Sequence, residues 1–198
     1  MAATMVRKAP EITIAPLAET PSETRPAGNA RYAWAIARIT LGWVFLWAFL
    51  DKTFALGFAT GRDAETGIVT RFGDAAWING ASPTEGFLKF GTEGKLFGDF
   101  FASLASPFTD WMFMIALLGL GLALILGIGM RIAAISGTVL LLSMWAAALR
   151  LDNNPFVDDH IVYAVVLIGL ALAGAGRTVG LGRWWRETKL VQRFPILE

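Results

Sequence analysis

The residues best suited to chemistry lie together in the link Arg150-Leu151-Asp152-Asn153-Asn154-Pro155-Phe156-Val157-Asp158-Asp159-His160. It holds an arginine, three aspartates, two asparagines and the only histidine of the chain. Imidazole gains and loses a proton within roughly pH 5 to 8, so His160 beside Asp159 is suited to relay protons. These two form the candidate catalytic pair. Arg150 and Lys52 are suited to hold an anionic substrate through charge-assisted hydrogen bonds, and Asp51, Asp152, Asn154 and Arg38 complete a candidate substrate- or quinone-binding set. A plainer reading stands beside this one. Asp, Asn, Pro and His at a helix start are ordinary capping and loop residues, and Arg150 with Asp152 makes a rim ion pair.

Composition removes other chemistries. There is no cysteine, which excludes thiolate catalysis, CxxC redox exchange and cysteine-ligated clusters. A single histidine does not make a multi-histidine zinc or haem site, so no metal is expected. A net charge of +1 gives no reason to expect nucleic acid. Hydrophobic content of 55% with a mean hydropathy of +0.55 is wrong for a soluble globule of 198 residues.

The elements that position these residues are apolar runs. Four of them, near 33–50, 111–130, 132–149 and 161–176, approach the roughly 20 residues that a hydrocarbon core about 30 Å thick requires. The expected fold is all-α: an integral membrane four-helix bundle with a long extracytoplasmic loop between helices 1 and 2. Residues 1–30, rich in Ala, Pro, Thr and Glu, read as a disordered arm. Residues 31–182 form the transmembrane domain and 183–198 a basic cytoplasmic tail. The first apolar run begins only after Arg31 and lacks a cleavage-like end, so it reads as a span and not as a signal peptide.

On the first span, helical spacing puts Arg38, Gly42, Phe45, Phe49 and Lys52 on one stripe. Arg38 then lies about 10 Å inside the helix start, where it must reach lipid phosphate, helix-end carbonyls or a bound ligand. On the second, Gly119, Ala123 and Gly127 recur every four residues, a small-residue face for close helix packing, with Gly121 and Gly129 thinning a neighbouring face. A turn at Met130-Arg131 makes spans two and three an antiparallel hairpin. Ser136, Ser143 and Arg150 recur at seven-residue intervals and form a mildly polar stripe expected to face the bundle interior or a cavity. In the loop, 96–104 has helical spacing and is expected to lie on the membrane surface or cap the bundle. Ser82, Pro83 and Glu85 are placed to open a short helix.

Charge sets the orientation. The acidic connections 51–110 and 150–159 contrast with a tail carrying Arg177, Arg183, Arg186, Lys189 and Arg193 against Glu187 and Glu198. Positive-inside places both termini in the cytoplasm of a plasma (inner) membrane. Trp184 and Trp185 followed by basic side chains suit a headgroup anchor.

Several stretches resemble the DoxX/DoxD-like membrane proteins. They are Arg38-Ile39-Thr40-Leu41-Gly42-Trp43-Val44-Phe45-Leu46 with Asp51-Lys52, the element Asn79-Gly80-Ala81-Ser82-Pro83-Thr84-Glu85-Gly86-Phe87-Leu88, the run Leu126-Gly127-Ile128-Gly129-Met130-Arg131, and Asn153-Asn154-Pro155 with Asp159-His160. The resemblance covers about residues 31–182. It implies a four-helix membrane protein and a tie to thiosulfate:quinone oxidoreductase or a related quinone-linked enzyme. The implied cofactor is a quinone, menaquinone or ubiquinone. The implied partners are lipids, other membrane-complex subunits and a redox protein. A non-catalytic accessory subunit of a respiratory complex is the alternative. A transporter is disfavoured, since no span is broken and no inverted repeat is evident.

Overall fold

The computed structural model describes residues 28–151 and 154–198. Of the expected arm over 1–30, residues 1–27 lie outside the described residues, as do Asp152 and Asn153, and Ala30 already begins the first helix. Those described form helices and connecting segments with no strand; one isolated β-bridge joins Arg62 and Val69.

Helix α1 spans Ala30–Phe54, α2 Gly98–Ser103, α3 Pro107–Leu126, α4 Met130–Ala147 and α5 Asp159–Leu172. Short helices α6 (Gly182–Glu187) and α7 (Lys189–Arg193) follow. Three of these, α1, α3 and α4, are long and apolar enough to cross a membrane, which makes this a membrane protein by helix length and composition. Helix α5 is apolar but has 14 residues, about 21 Å of rise.

Local chemistry sets the helix limits. Ser106 caps α3 by accepting from the Thr109 N–H at 3.3 Å, with Pro107 in the first turn. Gly127 (φ 75°) and Gly129 (φ 60°) take left-handed conformations, ending α3 and starting α4. The turn is therefore Gly127–Gly129, three residues earlier than the Met130-Arg131 expected from the apolar run. Gly174 (φ 61°) follows the end of α5, ahead of the 176 expected.

Helices α1 and α3 run antiparallel at close range. A Cβ on Gly42 would lie 2.9 Å from the Leu124 Cβ, and one on Gly121 2.8 Å from the Leu46 backbone nitrogen. The contact face of α3 is Met114, Leu117, Leu120, Gly121 and Leu124. Gly119 faces open space, whereas Ala123 packs against the core and a Cβ on Gly127 would lie 2.8 Å from the Gly176 carbonyl oxygen. The expected row is therefore close-packed only over its last two members, and Gly121 makes the close approach to α1. On the other side Gly137 of α4 receives Leu167 of α5, within 2.4 Å of a would-be Cβ. Leu41, Phe45, Met114, Leu120, Leu141, Ala164 and Leu167 close one core among the four helices. Of the expected stripe, Arg38, Gly42 and Phe45 are buried and Phe49 and Lys52 half-buried.

Ser136 and Ser143 depart from expectation. Both are exposed and donate to carbonyls one turn back, Ile132 at 2.8 Å and Val139 at 2.8 Å. A hydroxyl on an apolar outer face is satisfied most simply within its own helix. The outer surface is otherwise apolar, with Ile36, Ile115, Ile135, Val139 and Val165 all exposed.

The connection 55–106 is ordered by carboxylate hydrogen bonds together with one small apolar cluster that it shares with α4. Helix α2 realises the helical spacing expected over 96–104, and Phe101 packs with Leu88 and Ala147. A π-helical turn covers Gly86–Gly91. Ser82 accepts from the Glu85 N–H at 3.0 Å as expected of a cap, while the Glu85 carboxylate turns to Lys89 instead of completing the box.

Candidate functional site

Where α5 begins, Asp158 sits just outside the helix with an extended backbone (φ −124°, ψ −173°), the normal state of an N-cap. Its Oδ1 accepts from the Ile161 N–H at 3.3 Å, and its Oδ2 lies 2.7 Å from His160 Nδ1. Asp159 Oδ1 is more distant from the same nitrogen, at 3.5 Å, and two-thirds exposed. The imidazole is thus oriented by Asp158, and its other nitrogen, Nε2, is left for an outside group. His160 itself is 22% exposed. The sequence pattern names Asp159 as the partner. The N-cap position decides for Asp158, because a residue outside the first turn can reach both a backbone N–H and the ring.

A cavity of about 310 Å³ adjoins this pair, lined by Lys95, Ala148, Leu151, Asn154, Val157, Asp158 and Asp159. Asn154 accepts from the Phe156 and Val157 N–H groups at 2.9 and 3.0 Å, which folds the link into a turn. Trp145 Nε1 donates to the Phe156 carbonyl at 3.0 Å and fastens that turn to α4. Lys95 reaches the site from 55 residues away, donating to the Arg150 carbonyl at 3.1 Å. No spacing rule in the sequence announces it.

The other candidates serve elsewhere. Arg150, in a left-handed conformation (φ 79°), donates to the Gly94 carbonyl at 3.2 Å and secures the 92–98 segment. Asp51 is buried, and its two oxygens accept from the Phe58 and Ala59 N–H groups at 3.1 and 2.8 Å. Lys52 is half-buried beside it. Arg38 lies on α1 far from both, about 20 Å from Asp51 along the helix at 1.5 Å per residue. It is fully buried, donating through Nη2 to the Val179 carbonyl at 2.6 Å, while Nε and Nη1 have no partner. One backbone carbonyl, that of Val179 in the segment between Ala175–Arg177 and α6, receives it. Asp152 lies outside the described residues.

A further carboxylate went unsingled in the sequence. Asp110, buried in the first turn of α3, accepts on Oδ1 from the Ser82 hydroxyl (2.8 Å), the Thr84 N–H (3.1 Å) and the Thr84 hydroxyl (2.6 Å). It borders a cavity of about 300 Å³ beside Trp77 and Trp111, whose rings meet edge-on at 4.7 Å. The Ser106-Pro107 helix start was the available signal for a first-turn acid there.

Asp158, Asp159 and His160 could together offer a cation three ligand atoms within 4.8 Å of one another. Asp158 is already engaged by the helix and the ring, so the trio reads first as a cap.

Compared with known proteins, the chain matches no family model, no curated protein and no solved structure.

Proposed function

We propose that the chain is a four-pass, DoxX/DoxD-like protein of the plasma (inner) membrane that serves as a subunit of a quinone-linked oxidoreductase. Its fourth pass is α5 extended by the turn Ala175–Arg177, and its basic end faces the cytoplasm, in keeping with the positive-inside rule. The 55–106 connection is then extracytoplasmic. One observation carries the redox reading: Asp158, which lines a 310 Å³ cavity, also holds His160 Nδ1 at 2.7 Å from its Oδ2, the imidazole itself standing outside the lining.

The residues fit a quinone head group. The walls combine apolar Ala148, Leu151 and Val157 with hydrogen-bonding Lys95 and Asn154. Two carboxylates against one ammonium disfavour an anion there, so a neutral ring fits better than thiosulfate. A bound quinone supplies the two-electron, two-proton couple, and its electrons come from a partner protein. Within this chain, Asp158 fixes the tautomer and orientation of His160, leaving Nε2 to pass a proton to or from a carbonyl oxygen. Lys95 places positive charge beside the position where oxygen charge develops.

Protein purified in mild detergent from quinone-replete membranes is expected to retain quinone. His160→Ala and Asp158→Asn are each expected to lower quinol turnover at least tenfold, about 1.4 kcal/mol or more in barrier. Preparations empty of quinone, with turnover unchanged in both variants, overturn the reading.

A second reading, a non-catalytic accessory subunit, is favoured by the outward rings of the long connection, where Phe58, Phe90 and Phe100 are each over 60% exposed. Native gels of the mild-detergent extract separate the two: migration only as a monomer or small homo-oligomer removes it.

A further inference from the structure

At the end where α1 and α4 begin and α5 finishes lies a larger cavity, of about 750 Å³. Arg31, Arg131, Arg177, Arg183 and Arg186 line it, and no acidic residue does. Among the described residues, the Glu198 carboxylate reaches this cluster from beside it. Glu198 binds Arg177 at 2.6 and 3.0 Å and Arg131 at 3.4 Å. Arg183 and Arg186, three apart on α6, share a face. Neither has an ion-pair partner among the described residues, and Arg31 is engaged only by the Tyr32 ring and hydroxyl. Among the described residues, Arg31, Arg183 and Arg186 therefore bring positive charge to the cavity with no carboxylate against it, which favours an anionic occupant.

The cavity is two-faced. Leu172, 83% exposed at the end of α5, and Trp34 on α1 border it on the flank continuous with the apolar helix surfaces. Guanidinium matches phosphate through two parallel N–H···O bonds, which ammonium groups do not reproduce. Cationic groups beside an apolar flank at a helix end match a molecule with a phosphate head and an acyl tail.

We propose that this cavity is a binding site for the phosphate head group of an anionic phospholipid, seated on Arg31, Arg183 and Arg186 with its acyl chains along Leu172. The proposal rests on the chain lying in a membrane, and it is independent of quinone chemistry at the opposite end.

The test uses the full chain inserted in nanodiscs of equal phosphatidylglycerol and phosphatidylcholine, released for native mass spectrometry. Phosphatidylglycerol is expected to be retained at least tenfold over phosphatidylcholine. The double variant R183Q/R186Q is expected to bring that ratio near one at unchanged helix content, and Arg31→Gln to lower it severalfold. Arg183→Lys keeps the charge but loses the fork, and is expected to fall between. Arg71→Gln, an exposed arginine of the far loop, leaves the ratio unchanged. Equal retention of both lipids, or an equal loss in R71Q, overturns the site. Displacement of the lipid by millimolar inorganic phosphate overturns the lipid assignment in favour of a soluble phosphate. Failure to insert into nanodiscs at all removes the membrane reading instead, so the two failures are distinguishable.

Discussion

The two ends of the helical core handle charge in opposite ways. At the end bearing the long connection, carboxylates are internal fasteners: Asp51 holds Phe58 and Ala59, Asp110 holds Ser82 and Thr84, and Asp158 holds Ile161 and His160. At the other end the arginines line an open cavity, and the one that is buried, Arg38, has a single hydrogen bond. A carboxylate accepts several backbone N–H groups at once and so organises loops, which abound in such donors. A guanidinium needs oxygen acceptors and costs more to desolvate without them. Charge is therefore architectural at the first end, while at the second Glu198 ties Arg131 and Arg177 and the remaining cavity arginines are the ones assigned to the proposed lipid.

The sharpest way to break this contrast is to remove a fastener. Asp110→Ala strands the buried Thr84 N–H and hydroxyl, and is expected to cost about 2–4 kcal/mol, taking an unsatisfied buried donor as about 1–3. Denaturant titration in mixed micelles reads the loss, with cleavage of the 77–92 region by added protease as a local check. Asp110→Asn keeps an acceptor and is expected to recover about half. A loss below 0.5 kcal/mol in Asp110→Ala (about half the worth of one ordinary hydrogen bond) would show that the loop orders itself without the carboxylate.

A smaller effect is expected at the opposite end. Arg38→Met exchanges a buried charge with two unpartnered nitrogens for an apolar chain of similar reach, at the expense of the bond to Val179. Relief of desolvation and loss of that bond offset each other, so stability is expected to shift by less than about 1 kcal/mol in either direction. The same titration measures it. If Arg38→Met costs more than Asp110→Ala, the guanidinium is the stronger fastener and the contrast reverses.

What the sequence made legible follows the same division. The inward stripe of α1 was readable because helical period fixes which side chains share a face. So was the helical segment at 96–104, and so were the three long apolar helices. The position of the α3–α4 turn was not, because hydropathy passes unbroken through Gly127 and Gly129 while backbone conformation stops there. Gly121 was placed on the secondary face because a four-residue repeat shows small residues, not which of them meets another backbone. At the rim, His160 stood out as the single histidine of the sequence, but the approach of Lys95 was not readable, since 55 residues separate it from Arg150. Asp51 and Asn154 carry residue types suited to ligands, yet the nearest unsatisfied groups are backbone N–H groups, and local geometry satisfies those first.

The mildest expected effect tests the fastener principle on the surface, outside the helices. Asp63 Oδ1 accepts from the Thr66 N–H (2.7 Å), the Thr66 hydroxyl (2.7 Å) and the Glu65 N–H (3.2 Å). The Thr66 backbone bond first, then its hydroxyl, hold this carboxyl below its ordinary value of 3.8. A folded-state value below the unfolded one adds stability that is complete above the ordinary carboxylate range and disappears as pH falls through the lowered value. The turn 63–67, with the adjoining Arg62–Val69 bridge, is therefore expected to keep its structure from neutral pH down to about 4 and to loosen only below that, since ordinary carboxylates titrate near 4. Nuclear magnetic resonance of the Thr66 amide in micelles reads the transition directly. Asp63→Asn retains an acceptor oxygen but does not titrate, so its Thr66 amide is expected to stay flat across the same range. An Asp63 midpoint at or above 3.8 would mean that the turn does not hold its carboxylate, and that fastening by acids is confined to the buried side chains at the helix ends.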